Sequence, residues 1–301
     1  MHAYVIGNIV MDETFQVDAL PKEGESILGT RKSRELGGKG ANQAVVLARC
    51  DVPTTLIAGV GADEQAKRIR QALTNEPIDA RLLSLPNCDT DQSIVLADRS
   101  GRNSIVTTVD CAQAMAITDI TPLLRDANRD DHMILQGNLT PKTTAALFDE
   151  ADRLGLVTVF NPSPVDITFK TFLKRANIIF LNAREAEQLT GYTGQDAVEA
   201  LVAKGANCVV LTMGSDGALF GRDNSVEAIP AQPAVVTDAT GAGDAYQSTA
   251  IAAAMRRGKN IDASDLKCAA VASALTVSRF GTISAFPNVD EFKELLSISP
   301  T

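Results

Sequence analysis

One stretch of the chain places small residues where a helix should begin and then sets a carboxylate in the first turn: Asp238-Ala239-Thr240-Gly241-Ala242-Gly243-Asp244. Glycine lets backbone N–H groups approach an anion closely, and a helix N-terminus offers unpaired donors and a partial positive charge. A carboxylate beside a bound phosphate can accept the proton of a hydroxyl. The stretch therefore predicts an anion-binding helix start with its own general base, which suits phosphoryl transfer.

A second glycine-rich segment stands early in the chain and is also predicted to open a helix: Gly37-Gly38-Lys39-Gly40-Ala41-Asn42-Gln43. Its glycines allow a ligand to come close, and Lys39 and Asn42 offer hydrogen-bond donors; an ordinary glycine-rich helix start is the alternative. It is not a P-loop, because Gly40 follows Lys39 where that motif needs Ser or Thr. Neither segment has the third glycine of a dinucleotide fingerprint, which argues against a nicotinamide dehydrogenase.

Short apolar runs alternate with helical patterns along most of the chain. Strands are predicted at Ala3–Ile9, Thr54–Val60, His132–Gln136, Val157–Asn161, Ile178–Asn182 and Cys208–Thr212. Helices are predicted at Asn42–Arg49, Glu64–Leu73, Lys142–Leu154, Arg184–Thr190, Asp196–Lys204, Ala242–Arg257 and Ala263–Phe280. This alternation predicts an α/β fold with a mostly parallel sheet covered by helices.

Two segments interrupt this alternation with strand-like patterns of their own. They are Thr14 to Leu36, and Ser93–Ala97 with Ser104–Val109, the latter pair joined by a turn at Ser100-Gly101. We expect them to form a small antiparallel accessory sheet. The sequence has no linker, repeat or low-complexity tract, so it predicts one domain over residues 1–301, with a β-sheet lid made by about 13–36 and about 91–110.

Composition argues against several classes of protein. The formal net charge of −9 argues against a nucleic-acid partner, which would need a basic stripe, and no apolar run approaches the roughly 20 residues that cross a bilayer. The five cysteines include no C-x-x-C pair, so neither a zinc site nor a redox motif is indicated. Reduced cysteines are typical of a cytoplasmic protein, which is our expectation.

Three further positions at predicted strand ends can bind ligands. Asp12 follows the first strand and can accept hydrogen bonds from two sugar hydroxyls; a solvated turn is the alternative. In Asn182-Ala183-Arg184-Glu185, Glu185 can hold magnesium directly or through water, or can simply complement a helix N-terminus. Thr212-Met213-Gly214-Ser215-Asp216-Gly217 suits the ribose and adenine of a nucleotide and is equally compatible with a hairpin turn.

These segments occur together, in order, over nearly the whole chain, and in that combination they resemble the ribokinase family of carbohydrate kinases (PfkB type). Gly37 to Gln43 is similar to the family's first signature. Asp238 to Asp244 matches its second signature with Ala239 in place of a threonine, and Asn182 with Glu185 matches its Asn-x-x-Glu. The resemblance implies a three-layer α/β/α fold with a β-sheet lid and an ATP-dependent sugar kinase that uses Mg²⁺.

The resemblance also implies a role for each matching residue. Asp244 would be the catalytic base, beside an anion hole made by the backbone amides of Gly241, Ala242 and Gly243. Glu185 would position magnesium. The ATP site would be lined by Asn182, Thr212, Gly214, Ser215, Gly217, Gly241 and Gly243. The sugar would be held by Asp12, Gly38, Lys39, Asn42 and Asp244. A monovalent cation, potassium, would lie at Asp238, Thr240, Thr276, Gly281 and Ala285.

One position departs from the family pattern in a way that bears on the substrate. The family has a glutamate that contacts the sugar after the strand His132–Gln136, and this chain has Asn138 there. An amide differs from a carboxylate in charge and in donor capacity, and such a change can alter selectivity by orders of magnitude. We therefore expect Asn138 to contact the sugar, and we leave the identity of that sugar open.

Two other functions, and a dimer, are also compatible with the sequence. A nucleoside kinase of the same fold shares the Gly-Ala-Gly-Asp segment, and a non-catalytic sugar-binding sensor would retain the scaffold. The apolar alternation of lid strands such as Ser93–Ala97 exposes edge and face area that a second subunit can cover. We therefore expect a homodimer joined through the lids.

Overall fold

The computed structural model describes residues 1–98 and 103–297. Its strands are β1 Ala3–Ile6, β2 Val10–Val17, β3 Gly29–Gly37, β4 Thr54–Val60, β5 Asp79–Ser84, β6 Gln92–Asp98, β7 Asn103–Thr107, β8 His132–Gln136, β9 Val157–Asn161, β10 Ile178–Asn182, β11 Cys208–Thr212, β12 Ala218–Arg222 and β13 Ser225–Ile229. Its α-helices are α1 Lys39–Arg49, α2 Glu64–Leu73, α3 Asp110–Ala114, α4 Ile117–Ile120, α5 Pro141–Leu154, α6 Ala183–Thr190, α7 Gly194–Ala203, α8 Ala242–Arg257, α9 Ala263–Val277 and α10 Val289–Ser297.

A nine-stranded sheet forms the centre of the molecule, in the order β13-β12-β11-β10-β9-β8-β1-β4-β5. The strands from β11 to β5 pair in parallel, as the alternating pattern predicts, and β12 and β13 add an antiparallel edge. In a parallel sheet the carboxyl ends of the strands share one edge, and ligands bind there. The ends of β1, β8, β10 and β11 therefore come to the same side.

Both faces of this sheet are covered by helices. Successive side chains of a strand point to opposite faces, and in β10 Phe180 joins the core on the side of α1, α8 and α9, whereas Leu181 joins the core on the side of α5, α6 and α7. Because both faces are buried, the central strands are continuous apolar runs rather than alternating ones. The result is the expected three-layer α/β/α arrangement.

A four-stranded sheet in the order β3-β2-β6-β7 forms the lid. The expectation of an antiparallel lid is only partly right: β2 pairs antiparallel with β3, and β6 with β7, but β2 and β6 run parallel. Each predicted hairpin is antiparallel within itself, and the two hairpins meet through strands of the same direction. The predicted turn at Ser100-Gly101 lies outside the described residues.

Several predicted elements match the observed bounds, and the differences have local causes. The first strand ends at Ile6 rather than Ile9 because the chain enters the lid at Val10, so Asp12 lies within β2. Helix α9 ends at Val277 rather than Phe280, since the Val277 carbonyl accepts the N–H groups of Thr237 and Asp238. Among residues 1–98 and 103–297, the helices are too short or too polar to cross a bilayer.

Candidate active site

Helix α8 begins directly after Gly241, and its first residues line a cavity. Gly241 precedes it with φ 77°, a left-handed conformation that favours glycine. A Cβ at Gly241 would lie 2.8 Å from the Phe286 ring, whereas a Cβ at Gly243 would meet nothing within 4 Å. The first turn of α8 is therefore packed tightly on one side and open on the other, as an anion-binding helix start requires.

Asp244 lies in the first turn of α8 and is only 7% exposed. Its Oδ2 accepts a hydrogen bond from Asn42 Nδ2 at 2.9 Å, and its Oδ1 accepts one from Gln43 Nε2 at 2.9 Å. The two glycine-rich segments, about 200 residues apart in sequence, thus meet at one carboxylate.

Helix α1 reaches this point because its first turn packs against the end of β1. A Cβ at Gly40 would lie 2.7 Å from the Asn8 carbonyl oxygen, so the close approach needs glycine. Gly38 precedes the helix with φ 92°, and Lys39 is its first residue, three positions earlier than expected. Within the described chain, Lys39 makes no side-chain hydrogen bond or ion pair and is left half-buried at the helix start.

Asp12 lies in β2, at the base of the lid, and is 6% exposed. Thr282 Oγ1 donates to its Oδ2 at 3.1 Å. Burial raises the pKa of Asp12 to about 6, and the negative charges of Glu35 and Asp244 act in the same direction, while hydrogen bonds from Ser93 and Thr282 oppose the shift. Asp12 is therefore a partly satisfied carboxylate facing the same crevice as Asp244.

Glu35 connects the lid to the loop after α9. It is opposite Asp12 in the register of β2 and β3. Its Oε1 accepts the N–H of Thr282 and its Oε2 accepts the N–H of Ser284, both at 3.0 Å. A Cβ at Gly281 would lie 2.5 Å from Glu35 Oε1, so glycine is needed for this approach. Thr282 thus binds both carboxylates at the base of the lid.

Asn138 follows β8 and is buried, and its Oδ1 has no hydrogen-bond partner among the described residues. Gly137, just before it, donates its N–H to the Ser163 carbonyl at 2.9 Å, which fixes the backbone there. A buried amide oxygen without a donor is costly, so Asn138 presents an acceptor that a ligand hydroxyl can satisfy.

A cavity of about 550 Å³ opens beside the start of α8. Its wall includes five of the residues predicted to bind a nucleotide: Thr212, Gly214, Ser215, Gly217 and Gly243. The turn Gly214–Asp216 joins β11 to the antiparallel β12, so the hairpin interpretation holds, and the segment also lines the cavity that the ligand interpretation requires. The lining residues that sequence reasoning missed are mostly apolar or small, and they come from β12, α8, α9 and the 230–236 segment.

Asn182 and Glu185 form a capping box at the start of α6. Asn182 Oδ1 accepts the N–H of Glu185, and Glu185 Oε2 accepts the N–H of Asn182, both at 2.9 Å. Asn182 is opposite Thr212 in register but is not among the cavity-lining residues. Glu185 therefore complements the N-terminus of α6, as the alternative interpretation predicted. This leaves Glu185 one further oxygen at the end of β10.

The one carboxylate of Glu185 fits a magnesium ion whose other ligands come mainly from the substrate. Magnesium in kinases is commonly bound by one or two carboxylates, with waters and phosphates completing the shell, and Glu185 supplies one such carboxylate. Among residues 1–98 and 103–297, no three His, Cys, Asp or Glu side chains come close enough to hold a metal ion by themselves.

The five residues predicted around a monovalent cation come from segments that the structure joins. Asp238 Oδ1 accepts the N–H of Thr240 at 2.9 Å, and its Oδ2 accepts the N–H of Gly281 at 3.3 Å. Thr276 and Ala285 lie within five residues of Gly281 in sequence, and both are fully buried. Thr240 Oγ1 is a buried hydroxyl without a partner among the described residues. Thr240 Oγ1 is thus the side-chain oxygen of this group that a cation could use.

Comparison with known proteins agrees with this architecture. Residues 2–289 match the pfkB family carbohydrate kinases. The chain is 31% identical over 302 residues to a ribokinase of Bacillus subtilis, covering 97% of this chain and 98% of that protein. It is 27% identical over 320 residues to a deoxyribokinase of Salmonella typhi, covering 99% and 100%. An Arabidopsis thaliana ribokinase complexed with ribose and ATP superposes with a TM-score of 0.84, at 26% identity and 99% coverage of both chains.

The family match spans almost the whole chain, and the relatives align with it over nearly their full lengths. It also agrees with the fold, because the Arabidopsis ribokinase superposes over 99% of both chains. The chain therefore belongs to the pfkB family of carbohydrate kinases, which are ATP-dependent phosphotransferases.

Proposed function

We propose that this sugar kinase transfers the γ-phosphate of ATP to a hydroxymethyl group of its sugar, with Asp244 as the catalytic base. One observation carries the proposal above all others: a buried carboxylate in the first turn of α8 stands next to the open side of Gly243, which also lines the cavity. A base, a set of backbone donors and a nucleotide-sized cavity are thereby contiguous.

The chemistry follows from that arrangement. Asp244 takes the proton of the sugar hydroxyl while its oxygen attacks the γ-phosphorus, and the bond to the ADP oxygen breaks. Backbone N–H groups of Gly241 and Gly243 are assigned to stabilise the charge on the transferring group, because donors held in place need little reorganisation. The N–H of Ala242 donates to the Ala239 carbonyl at 3.3 Å and would join them once that bond is exchanged. Magnesium, when bound with ATP near Glu185, would supply further charge neutralisation. Positioning is expected to supply most of the rate enhancement.

The sugar is assigned to the crevice between the lid and α1. Asp12 accepts hydrogen bonds from its hydroxyls beside those that it already accepts from Thr282 and Ser93. Gly38, Lys39 and Asn42 are assigned to the same ligand from the start of α1, and Asn138 offers its unpaired oxygen from the end of β8. Potassium is assigned to Asp238, Thr240, Thr276, Gly281 and Ala285.

A homodimer formed through the lids is part of the proposal. Ile94 and Val106 lie opposite each other in the register of β6 and β7, and both are exposed, to 44% and 68%. Leu28, just before β3, is 96% exposed. Exposed apolar side chains gathered on one small sheet favour a covering partner, and the second subunit is the partner we propose.

A panel of sugars tests the proposed activity. Pentoses, deoxypentoses, hexoses and nucleosides are offered with ATP and Mg²⁺, with and without K⁺, and both ADP release and phosphorylated product are measured. We expect one or a few free sugars to be phosphorylated, and K⁺ to increase the rate. Phosphorylation of nucleosides alone would favour the nucleoside kinase, and sugar binding without any product would favour a sensor.

A further inference from the structure

Three buried side-chain amides from three different elements converge behind Asp244. Gln43 lies in α1, Gln136 ends β8 and Gln247 lies in α8, and all three are almost completely inaccessible to solvent. Gln43 Oε1 accepts hydrogen bonds from Gln136 Nε2 at 2.8 Å and from Gln247 Nε2 at 3.2 Å. Gln43 Nε2 donates to Asp244 Oδ1 at 2.9 Å. The carboxylate is thus the end of a connected network of amides.

Asp244 fixes the orientation of the Gln43 amide within this network. An ionised carboxylate only accepts hydrogen bonds, so Gln43 must turn its amide nitrogen toward Asp244. Its oxygen then faces the other two glutamines, each of which presents a nitrogen. Turning the Gln43 amide over would lose all three bonds and set two oxygens against each other, and in a buried site such unpaired groups are costly. Gln43 is therefore locked.

Asn42, the second donor to Asp244, is held differently. Its Nδ2 donates to Asp244 Oδ2, but its Oδ1 has no hydrogen-bond partner among the described residues. With only one end of its amide held, Asn42 can exchange that bond for a sugar hydroxyl, whereas Gln43 cannot leave without breaking two further bonds. The two oxygens of Asp244 are therefore not equivalent.

We propose that Gln43 is a positioning residue that fixes Asp244 through Oδ1, so that Oδ2 is the oxygen that receives the proton. When the sugar enters, Asn42 releases Oδ2 and the sugar hydroxyl takes its place. The sugar O–H bond then breaks, an Oδ2–H bond forms, the sugar oxygen bonds to the γ-phosphorus and the bond to ADP breaks. The inference deepens the proposed function and rests on it.

Replacing Gln43 with methionine tests this assignment. Methionine has a similar length and no strong hydrogen-bond donor. We expect Gln43→Met to lower kcat by about 10- to 100-fold, because a misplaced catalytic group loses about that much. Dissociation constants for the sugar and for a non-hydrolysable ATP analogue, measured by calorimetry, should stay within about threefold. The solvent deuterium isotope effect on kcat should increase as proton transfer becomes slower.

Two variants complete the test. Gln247→Met removes one of the two bonds that lock Gln43 and leaves Asp244 untouched, so it should produce a smaller fall in kcat, about two- to tenfold, and it serves as the main variant if Gln43→Met does not fold. Gln195→Met, in an exposed amide that bonds Glu199, should behave like the unmodified protein. Wild-type kcat in Gln43→Met, or a fall in kcat matched by equal losses of ligand affinity and an unchanged isotope effect, would overturn the inference.

Asp244→Asn is measured in parallel to separate this inference from the proposed function. If Asp244→Asn retains turnover, the assignment of the base fails and the role of Gln43 fails with it. If Asp244→Asn is inactive while Gln43→Met turns over normally, only the positioning role is contradicted.

Discussion

Asp244 and Asp12 are two buried carboxylates kept in one crevice by different partners. Asp244 accepts two side-chain amide donors, whereas Asp12 has only hydroxyl donors and a pKa raised to about 6 by burial. Buried acids with partial satisfaction are unusual in cores and are typical of functional sites. At the scale of residues, the site therefore keeps one carboxylate firmly oriented and leaves the other with capacity for a ligand.

Asp12 should reduce the stability of the ligand-free protein at neutral pH. An unfolded chain loses this proton near the ordinary value of 3.8 and the folded protein near 6, so the folded state holds more protons between these pH values and its stability falls as the pH rises through them. We expect Asp12→Asn to increase the free energy of unfolding at pH 7.5 by about 1–3 kcal/mol, measured by urea denaturation.

The same variant should bind sugar much more weakly, because an amide cannot replace the charged acceptor. Exposed Asp196, in the first turn of α7, provides the control, and Asp196→Asn should change neither stability nor binding appreciably. Since burial also raises the pKa of Asp91 to about 6, part of the pH dependence should survive in Asp12→Asn. A variant less stable than the unmodified protein at pH 7.5 would contradict the account of Asp12.

At the scale of elements, the two glycines at the start of α8 have different surroundings. Gly241 has a left-handed backbone and faces Phe286, whereas Gly243 faces open space and lines the cavity. Two glycines two residues apart thus have different requirements. One is needed for folding of the turn, and the other leaves room in the cavity that we propose binds the nucleotide.

Replacing each of these glycines with alanine should separate the two requirements. Gly241→Ala should lower stability by about 1–3 kcal/mol, from backbone strain and from contact with the Phe286 ring. Gly243→Ala should leave the thermal midpoint nearly unchanged and should weaken ATP binding and turnover, because its methyl group would point into the site. Thermal unfolding and steady-state kinetics measure both effects. Equal loss of stability in the two variants would contradict this view of the turn.

Glu35 connects the lid to the loop that follows α9. It accepts two backbone N–H groups from the loop that carries Thr282, and Thr282 in turn donates to Asp12. We expect Glu35→Ala to lower stability by about 1–3 kcal/mol, since two N–H groups lose their acceptor, and to increase the sugar KM more than the ATP KM.

Glu13, also on a lid strand, provides the control for Glu35. It forms a partly exposed ion pair with Arg34 at 3.0 Å, and such pairs contribute about 0–1 kcal/mol. Glu13→Ala should therefore change stability little. A Glu35→Ala variant with unchanged sugar KM would contradict the connection between the lid and the loop.

At the scale of the whole molecule, the lid carries Asp12, which we propose binds the sugar, and it exposes apolar side chains such as Ile94 and Val106. If these side chains lie in a subunit interface, Val106→Lys should convert dimer to monomer, because a charge at the centre of an apolar contact is strongly unfavourable. Analytical ultracentrifugation at micromolar concentration measures this. Lys267, an exposed residue of α9, provides a control as Lys267→Glu. A monomeric unmodified protein would contradict the proposed interface.

The fold was largely predictable because its signals are local. The strand Thr54–Val60 and the helices Glu64–Leu73 and Ala242–Arg257 have the predicted bounds, since apolar runs, caps and glycines mark them directly. The parallel pairing of β2 with β6 could not be predicted, because it joins two hairpins that are distant in sequence.

The site was predictable only where a motif marks it. Asp244, Asn42 and Gly243 were predicted from their glycine-rich segments, and the structure places Asn42 against Asp244. Gln136, Thr282 and Glu35 were missed, and each is a single side chain of an ordinary type whose role arises from tertiary contact. Gln43 stands inside a motif, yet its role became apparent only through the buried amides around it.

The central claim is that Asp244 is the base of a sugar kinase. Asp244→Asn keeps the shape of the side chain and removes its capacity to accept a proton, so turnover with ATP, Mg²⁺ and the best sugar of the panel should fall by about 10²- to 10⁴-fold. Dissociation constants for ATP and sugar, measured by calorimetry on the same preparation, should remain within about tenfold. Turnover within a few-fold of the unmodified protein would contradict the claim.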